Sequence, residues 1–192
     1  MSTAQQKPAR KLLHTRRIVC DGYERDDGLY DIEARMQDIS AEDTRLPYRD
    51  LEAGGDIHDM RICMTVDKQL VIHEVSARIA ASPTPFCPEI NGAYAALAGE
   101  KIGPGFTQRV KALFTGAQGC THLTELLGPM ATTAYQTLFS NQRATVGPMP
   151  TPTGSGPLPR PKSIDSCYAL REDGPPAARI WPLERRQLIA SE

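Results

Sequence analysis

The sequence lacks paired Cys-x-x-Cys motifs, a Gly-rich phosphate loop and any apolar run long enough to span a bilayer. The first absence removes the most recognisable zinc-binding pattern. The second argues against nucleotide cofactors of the dinucleotide or Walker type, and the third against a membrane-spanning segment. A formal net charge of −1 supplies no basic field for nucleic acid. We therefore expect a small-molecule ligand and no nucleic-acid or membrane partner.

The cysteines are few, scattered and odd in number, which suits reduced thiols better than a disulfide framework. The N-terminal residues carry charges with no apolar segment behind them, so they do not resemble a secretory signal. Together these features predict a cytoplasmic protein, and they leave its oligomeric state open. The five cysteines are Cys20, Cys63, Cys87, Cys120 and Cys167.

A chain of 192 residues is long enough for one domain with a stable core. We expect that single domain to span residues 12–182 and to follow a flexible arm over residues 1–11. Residues 144–163 are rich in Pro, Gly, Ser and Thr, and they predict an extension within the domain with little regular structure.

Alternating apolar and polar residues predict antiparallel strands in the first half of the chain, after a first candidate strand at residues 12–20. His58 and His73 both fall on the apolar faces of their predicted strands, whereas Asp59 falls on an opposite, polar face. The polar residues 37–55 predict mostly loop. The predicted strands are residues 12–20, 29–36, 57–66 and 71–79.

Apolar residues at helical spacing predict three helices in the second half, at residues 89–97, 106–114 and 121–139. Residues 166–182 predict a short strand pair anchored by the single tryptophan, Trp181. The predicted fold class is α+β. An N-terminal antiparallel sheet of about four strands packs against about three helices, and a C-terminal extension docks back.

The entrance of the last predicted helix is the most distinctive stretch, because it contains Cys120, His122 and Glu125. His122 and Glu125 are three residues apart and are therefore neighbours on one helical face. Cys120 precedes the helix, where the positive end of the helix dipole favours a thiolate. Three interpretations remain open: a metal site, acid–base or nucleophilic chemistry, or a turn cysteine beside ordinary surface residues.

Cys87 also lies at the entrance of a predicted helix. If Cys87 approaches Cys120, the two thiols and His122 form a soft metal site that suits zinc or iron. The spacing along the chain does not decide whether the two cysteines meet.

The polar face of the predicted sheet carries charges of both signs. One interpretation is cross-strand charge pairing on a solvated face. The other is the wall of a pocket in which Arg61 or Arg25 holds a substrate carboxylate through two parallel hydrogen bonds. The charged residues of this face are Asp31, Glu33, Asp59, Arg61, Glu74 and Arg78.

Four separated motifs resemble a bacterial family of domains of unknown function. The resemblance extends over most of residues 12–182, including a Cys-Tyr-Ala-Leu and Trp-Pro tail. It implies a site more than a packing signature, because the motif residues are mostly His, Arg, Asp, Glu and Cys. It also implies a similarity to proteins encoded near aromatic-degradation enzymes. The motifs are His14-Thr-Arg16, Gly22-Tyr23-x-Arg25-x-Asp27-Gly28-Leu29-x-Asp31-Ile32-Glu33, Ile57-His58-Asp59-Met60 and Gly119-Cys120-Thr121-His122-Leu123.

These features predict a small enzyme that acts on an aromatic or carboxylated molecule by acid–base chemistry, with or without a zinc or iron ion. The reaction would be that of a lyase, isomerase or hydrolase. The alternative is a non-catalytic accessory protein that binds a metal or a small ligand. The candidate catalytic residues are His122, Cys120, Glu125, His58, Asp59 and Tyr23; the candidate substrate-binding residues are Arg16, Arg25 and His14; the candidate metal ligands are Cys120, His122 and Cys87.

Their predicted roles follow from their chemistry. His122 would be the principal base or ligand, and Cys120 a ligand or nucleophile. A histidine would be oriented by Glu125 or Asp59, as carboxylates behind a reactive imidazole do. Tyr23 would donate to a developing oxyanion.

Overall fold

The computed structural model describes residues 8–146, 154–161 and 163–187, without the side chains of residues 141–146. Backbone contacts divide the chain into two compact units, with the division after Ser140. Each unit is described separately. Residues 1–7 of the predicted arm, and residues 147–153 and 162 of the predicted extension, lie outside the described residues. The single domain over residues 12–182 stays a prediction.

The first unit is built on a four-stranded antiparallel sheet with the strand order β1-β2-β5-β6. Two very short strands, β3 and β4, pair with each other between β2 and β5 along the chain. The α+β fold class and the N-terminal antiparallel sheet are therefore confirmed. The strands are β1 (His14–Glu24), β2 (Tyr30–Ser40), β3 (Thr44–Arg45), β4 (Asp50–Leu51), β5 (Asp56–Val66) and β6 (Ile72–Ala81).

The helices bury their apolar side chains against one face of this sheet. A 3₁₀ helix, Cys87–Leu97, follows β6 and packs against it. It is followed by α1 (Phe106–Leu113), a 3₁₀ turn at Gly116–Gln118 and α2 (Thr121–Val146). Although α2 runs over 26 residues, no described helix combines the length and hydrophobicity needed to cross a bilayer.

The buried face of the sheet follows the strand alternation that the sequence predicts. On β2, the side chains from Tyr30 to Ser40 at even positions are all buried. On β5, Met60, Ile62 and Met64 lie on the same side. The helices add Tyr94, Leu97, Leu123, Leu126, Leu127 and Met130 to this core.

Three predictions along the strands were wrong in their details. The first predicted strand, residues 12–20, ends too early, because β1 continues through Asp21 and Gly22 to Glu24. The loop predicted after residue 36 begins later, because β2 continues to Ser40. His73 does not lie on the apolar face: the pairing register shifts between Thr65 and Val66, and His73 is exposed and contacts Asp67.

Gly22 allows α2 to lie close against β1. A Cβ atom built on Gly22 would lie 1.8 Å from Oγ1 of Thr137, so no side chain fits there without movement. Six residues nearer the strand start, Arg16 contacts Glu125, twelve residues before Thr137 on the helix. These separations are each about 20 Å, so α2 runs alongside β1 in the same direction. This close approach sets where the helix entrance meets the sheet.

Replacing Gly22 with Ala should therefore lower the free energy of unfolding by about 1–3 kcal/mol, because the new methyl group overpacks the contact with Thr137. Urea unfolding would measure the loss. Gly92→Ala is the matched control, since a Cβ atom there meets nothing within 4 Å. Combining Gly22→Ala with Thr137→Ala should recover part of the loss. Equal stabilities for Gly22→Ala and Gly92→Ala would show that α2 does not depend on this contact.

The second unit has its own small apolar cluster. Trp181 is buried against Ile164 and Ala177, and its indole N–H donates to the carbonyl of Leu158. The guanidinium of Arg186 covers the indole ring at 4.3 Å. Trp181 therefore anchors the apolar cluster of this second unit.

The strand pair predicted over residues 166–182 was wrong, because the segment is helical. Gly174 precedes α3 (Pro175–Ile180), which starts with two prolines at positions where their missing N–H groups cost nothing. Short 3₁₀ turns lie on either side of α3, at Tyr168–Leu170 and Leu183–Arg185.

Candidate functional site

A row of three polar residues crosses the buried face of the sheet at one end. In the strand register, Arg16 of β1 lies opposite Asp38 of β2, and Asp38 lies opposite His58 of β5. Side chains at directly paired positions on one face are close neighbours. The same register that builds the apolar core therefore places these three polar groups side by side.

Asp38 is the centre of this row. Its side chain is only 2% exposed, so its charge must be met by hydrogen bonds. Arg16 donates to both carboxylate oxygens, at 2.7 and 2.8 Å. His14 Nε2 lies 3.0 Å from Oδ1, and His58 Nδ1 lies 3.0 Å from Oδ2. The carboxylate is thus held by three side chains from two neighbouring strands.

These contacts keep Asp38 ionised. Hydrogen bonding to the Arg16 guanidinium holds the pKa of the Asp38 carboxyl well below its usual range, against the opposing effect of burial. The pKa of Arg16 is raised in turn, first by the same hydrogen bond. An ionised carboxylate only accepts hydrogen bonds. The Nδ1 atom of His58 therefore carries its proton, and Nε2 is left with the free lone pair.

His58 stacks on His122, which enters from the first turn of α2. The two ring centroids are 3.9 Å apart and the ring planes are inclined by 35°. Burial lowers the pKa of both imidazoles, and for His122 the neighbouring His58 lowers it further. The Asp38 carboxylate opposes this effect but does not reverse it. Both rings are accordingly neutral near pH 7.

Tyr94 fixes the entrance of α2 beside these rings. Its buried hydroxyl accepts from the backbone N–H of Cys120 at 3.0 Å, and lies 2.8 Å from both the Cys120 carbonyl and Thr124 Oγ1. Just before this entrance, a Cβ atom on Gly119 would lie 2.5 Å from Cβ of Phe114. Glycine is therefore required for the chain to turn into the helix here.

Sulfur atoms lie near His122 and along the same cavity. The Cys120 thiol is 4.0 Å from Nδ1 of His122 and 3.9 Å from the thioether of Met60. Cys87 contacts the hydroxyl of Thr84 at 3.3 Å. The local chemistry is therefore a pair of neutral imidazoles with soft sulfur groups beside them.

The two imidazoles and the sulfur groups line one cavity of about 700 Å³, whereas Asp38, Arg16 and His14 lie behind His58 and are not part of the cavity's lining. Its volume is within the range of cavities that bind small molecules. Its wall comes from β5, from the start of the 3₁₀ helix Cys87–Leu97 and the segment before it, and from the entrance of α2. The chemically reactive lining residues are His58, His122, Cys87, Cys120 and Glu89.

The structure brings most of the predicted site residues together, although not all in their predicted roles. His14 and Arg16 contact Asp38, as described above, and Cys87 and Cys120 line the same cavity. Glu125 does not orient a histidine. It accepts from Nη1 of Arg16 at 2.8 Å, at the exposed edge of the cluster.

The other three predicted residues lie elsewhere. Asp59 was expected to orient a histidine, but its side chain is on the opposite face of the sheet and accepts two hydrogen bonds from Arg35. Successive residues of a strand point to opposite faces, so Asp59 cannot share the surroundings of His58. Tyr23 lies about 30 Å along β1 from His14, and Arg25 follows the end of that strand. Tyr23 is half exposed, and Arg25 binds Asp27 and Asp31.

Sequence reasoning missed Asp38, the residue with most contacts in the cluster. The signal was present, because the even-numbered positions of β2 run from Tyr30 through Met36 to Asp38 without a break. A charged residue that continues an apolar face is a candidate for a buried, hydrogen-bonded role.

A metal ion would suit part of this cluster. One atom each from Asp38, His58 and His122 lies within 4.8 Å of the others. However, both oxygens of Asp38 already accept from Arg16, and a metal ion there would face the guanidinium charge. Asp38 is better placed to hold the far nitrogen of His58, as carboxylates behind metal-binding histidines do.

Fold and site together define an α+β protein in which a histidine bound to a buried carboxylate stacks on a second histidine beside a cavity. The chain belongs to the protein family of unknown function DUF2889, whose sequence profile matches residues 14–136. That range contains the four motifs from His14 to Leu123, whereas the Cys-Tyr-Ala-Leu and Trp-Pro tail lies beyond it. Neither a curated protein nor a solved structure gives a significant match to the chain.

Proposed function

We propose that this protein is an enzyme that performs acid–base chemistry on a small organic molecule, with His58 as the general base. The observation that carries the proposal is the hydrogen bond from His58 Nδ1 to the buried carboxylate of Asp38, in a histidine that lines a cavity. A carboxylate in this position sets the tautomer and orientation of a catalytic imidazole. The reaction would be that of a lyase, isomerase or hydrolase.

The protonation state supports this role. A base must be neutral before it accepts a proton, and the lowered pKa of His58 keeps the imidazole neutral at physiological pH. Asp38 then stabilises the imidazolium that forms. Because His122 lies against the same ring, a proton on either imidazole disfavours a proton on the other. The pair can therefore accept one proton and hold the second ring neutral.

The remaining groups fit a carboxylated substrate. Arg16 is anchored by Asp38, and its Nη1 atom reaches Glu125 at the exposed edge. A substrate carboxylate that displaces Glu125 would find a guanidinium already oriented for it. Cys120 supplies a thiol next to His122, which is the arrangement that a covalent step would use.

The second candidate is a metal-binding protein, and the clustering of imidazole nitrogens favours it. His58 Nε2, His122 and the Cys120 thiol would hold a zinc or iron ion, with Asp38 behind His58. The two candidates share residues but differ in what must be bound. Metal analysis of protein purified without chelator or nickel separates them: about one ion per chain, lost in His122→Ala, supports the metal-binding candidate.

The proposed enzyme activity is tested by a turnover screen combined with NMR of the histidine side chains. Metal-free protein is incubated with a library of small aromatic and aliphatic carboxylic acids, and mass spectrometry detects converted compounds. NMR of the histidine side chains identifies the compounds that perturb His58 and His122. We expect at least one such compound to be converted by the wild type and not by His58→Gln.

Two results would contradict the proposal. Compounds that perturb both histidines but are never converted would indicate a carrier. Conversion that is unchanged in His58→Gln would place the chemistry elsewhere. His73→Gln is the matched control, because His73 is an exposed histidine on β6 that contacts Asp67 and not this cavity.

A further inference from the structure

The other face of the sheet carries a row of three arginines in direct register. Arg35 of β2 lies opposite Arg61 of β5, and Arg61 lies opposite Arg78 of β6. Neighbouring strands are about 4.8 Å apart, so three guanidinium groups arise within roughly 10 Å. Like charges at directly paired positions destabilise a sheet. Such a row needs negative charge close to it.

The protein provides little of that charge. Asp59 accepts two hydrogen bonds from Arg35, at 2.8 and 2.9 Å, and lies 3.8 Å from Arg61. Its side chain is only 10% exposed, while that of Arg61 is 53% exposed. Among the described residues, Arg78 has no ion-pair partner within 4 Å. Within the part of the chain that the structure describes, Asp59 is thus the one carboxylate within 4 Å of this row, and it is bound to Arg35, on which Asp56 also acts from farther away.

The arginines surround a shallow cavity of about 620 Å³. A fourth arginine, Arg17 of β1, lines it as well, and the small side chain of Ser76 forms part of its floor. Two carboxylates, Asp21 and Glu33, also line it, in the next row of the sheet. The cavity therefore combines four cationic groups at one end with space above the central strands.

We propose that this cavity binds a small molecule carrying two or more phosphate or carboxylate groups. The anionic groups would bridge Arg61 and Arg78 and would reach Arg35 or Arg17 at the other side. The guanidinium fork matches both kinds of oxyanion through paired hydrogen bonds. None of the described residues that line this cavity is aromatic, so the proposed recognition does not include stacking on a nucleobase.

This site is independent of the proposed enzyme activity. Strand alternation directs Arg61 and His58 to opposite faces of the sheet. Anion binding alone therefore tests this proposal, and the result does not depend on which reaction occurs beside His58.

The test is calorimetric titration of the full chain with two probes, inorganic pyrophosphate and citrate, at constant ionic strength set with sodium chloride. Binding of pyrophosphate alone would identify a phosphate compound, binding of citrate alone a polycarboxylate, and binding of both a general oxyanion site. Arg61→Gln should weaken binding by about tenfold or more, as expected for the loss of charged hydrogen bonds. Arg78→Gln, on the edge strand, should weaken it as well.

Arg45→Gln is the matched control. It removes the same charge from a side chain that is 89% exposed on β3 and only loosely paired with Asp50, and it should leave affinity unchanged. The arginine row also predicts that, without anions and at low salt, Arg61→Gln is at least as stable as the wild type. Binding of neither probe, or equal loss of affinity in Arg45→Gln and Arg61→Gln, would overturn the proposal.

Discussion

Replacing Asp38 with Asn should lower the free energy of unfolding by about 3 kcal/mol, the lower end of the cost of breaking a buried charge pair. The amide keeps the shape of the side chain but loses the charge, and its NH₂ group would face donors. The bidentate contact with Arg16 would be lost, and His58 would lose the carboxylate that holds Nδ1. We expect the lower end of this range of costs because Arg16 is 37% exposed and keeps part of its solvation.

Urea unfolding at pH 7 measures this loss, and Asp50→Asn is the matched control. Asp50 is 80% exposed and lies 3.4 Å from Arg45, so its charge contributes less than about 1 kcal/mol. If Asp38→Asn were no more destabilising than Asp50→Asn, Asp38 would not be the electrostatic centre of the cluster.

The difference between wild type and Asp38→Asn should also depend on pH. The pKa of Asp38 is depressed in the folded state, so its stabilising effect is complete above the unfolded pKa of about 3.9. It is lost as the pH falls from there through the folded pKa. Unfolding free energies measured between pH 3 and 7 should therefore show a constant difference above about pH 5 and a shrinking one below.

The sequence was sufficient for the fold where apolar residues follow the period of the element. Alternation located β2, β5 and β6, and helical spacing located the helices of the first unit, because both patterns reflect burial on one side. Strand ends were missed where a non-apolar residue occupies the buried face. Gly22 has no side chain because Thr137 lies against it, and Asp38 is charged because Arg16 meets it. The predicted strands ended before these two residues, at residues 20 and 36.

The site depended on contacts that lie far apart in the chain. Cys120 and His122 could be recognised from their position at a helix entrance, but their meeting with His58 depends on how α2 packs across the sheet. Asp59 was predicted to orient a histidine, but it binds Arg35 on the opposite face from His58, since adjacent residues in a strand point to opposite faces. His73 was misplaced because a one-residue register shift reverses the faces of a strand. Neither the composition nor the spacing of apolar residues in the sequence indicates that register shift.

Replacing His58 with Gln should lower kcat/KM by about 10²- to 10⁴-fold once a substrate is known, the usual contribution of a general base. Gln retains a side chain that can contact Asp38 but cannot accept a proton from substrate. His73→Gln should leave kcat/KM unchanged, since His73 lies outside the cavity. A loss of less than about tenfold in His58→Gln would show that another group accepts the proton.

The pH dependence of kcat/KM tests the same assignment more closely. Because burial lowers the pKa of His58 below 6.5, activity should fall on acidification with a midpoint below pH 6.5, and this limb should be absent in His58→Gln. Asp38 raises the pKa of His58 relative to burial alone, so Asp38→Asn should move the limb to lower pH and reduce the plateau. The plateau would fall because nothing then fixes the tautomer. If Asp38→Asn left both midpoint and plateau unchanged, the carboxylate would serve only to hold Arg16.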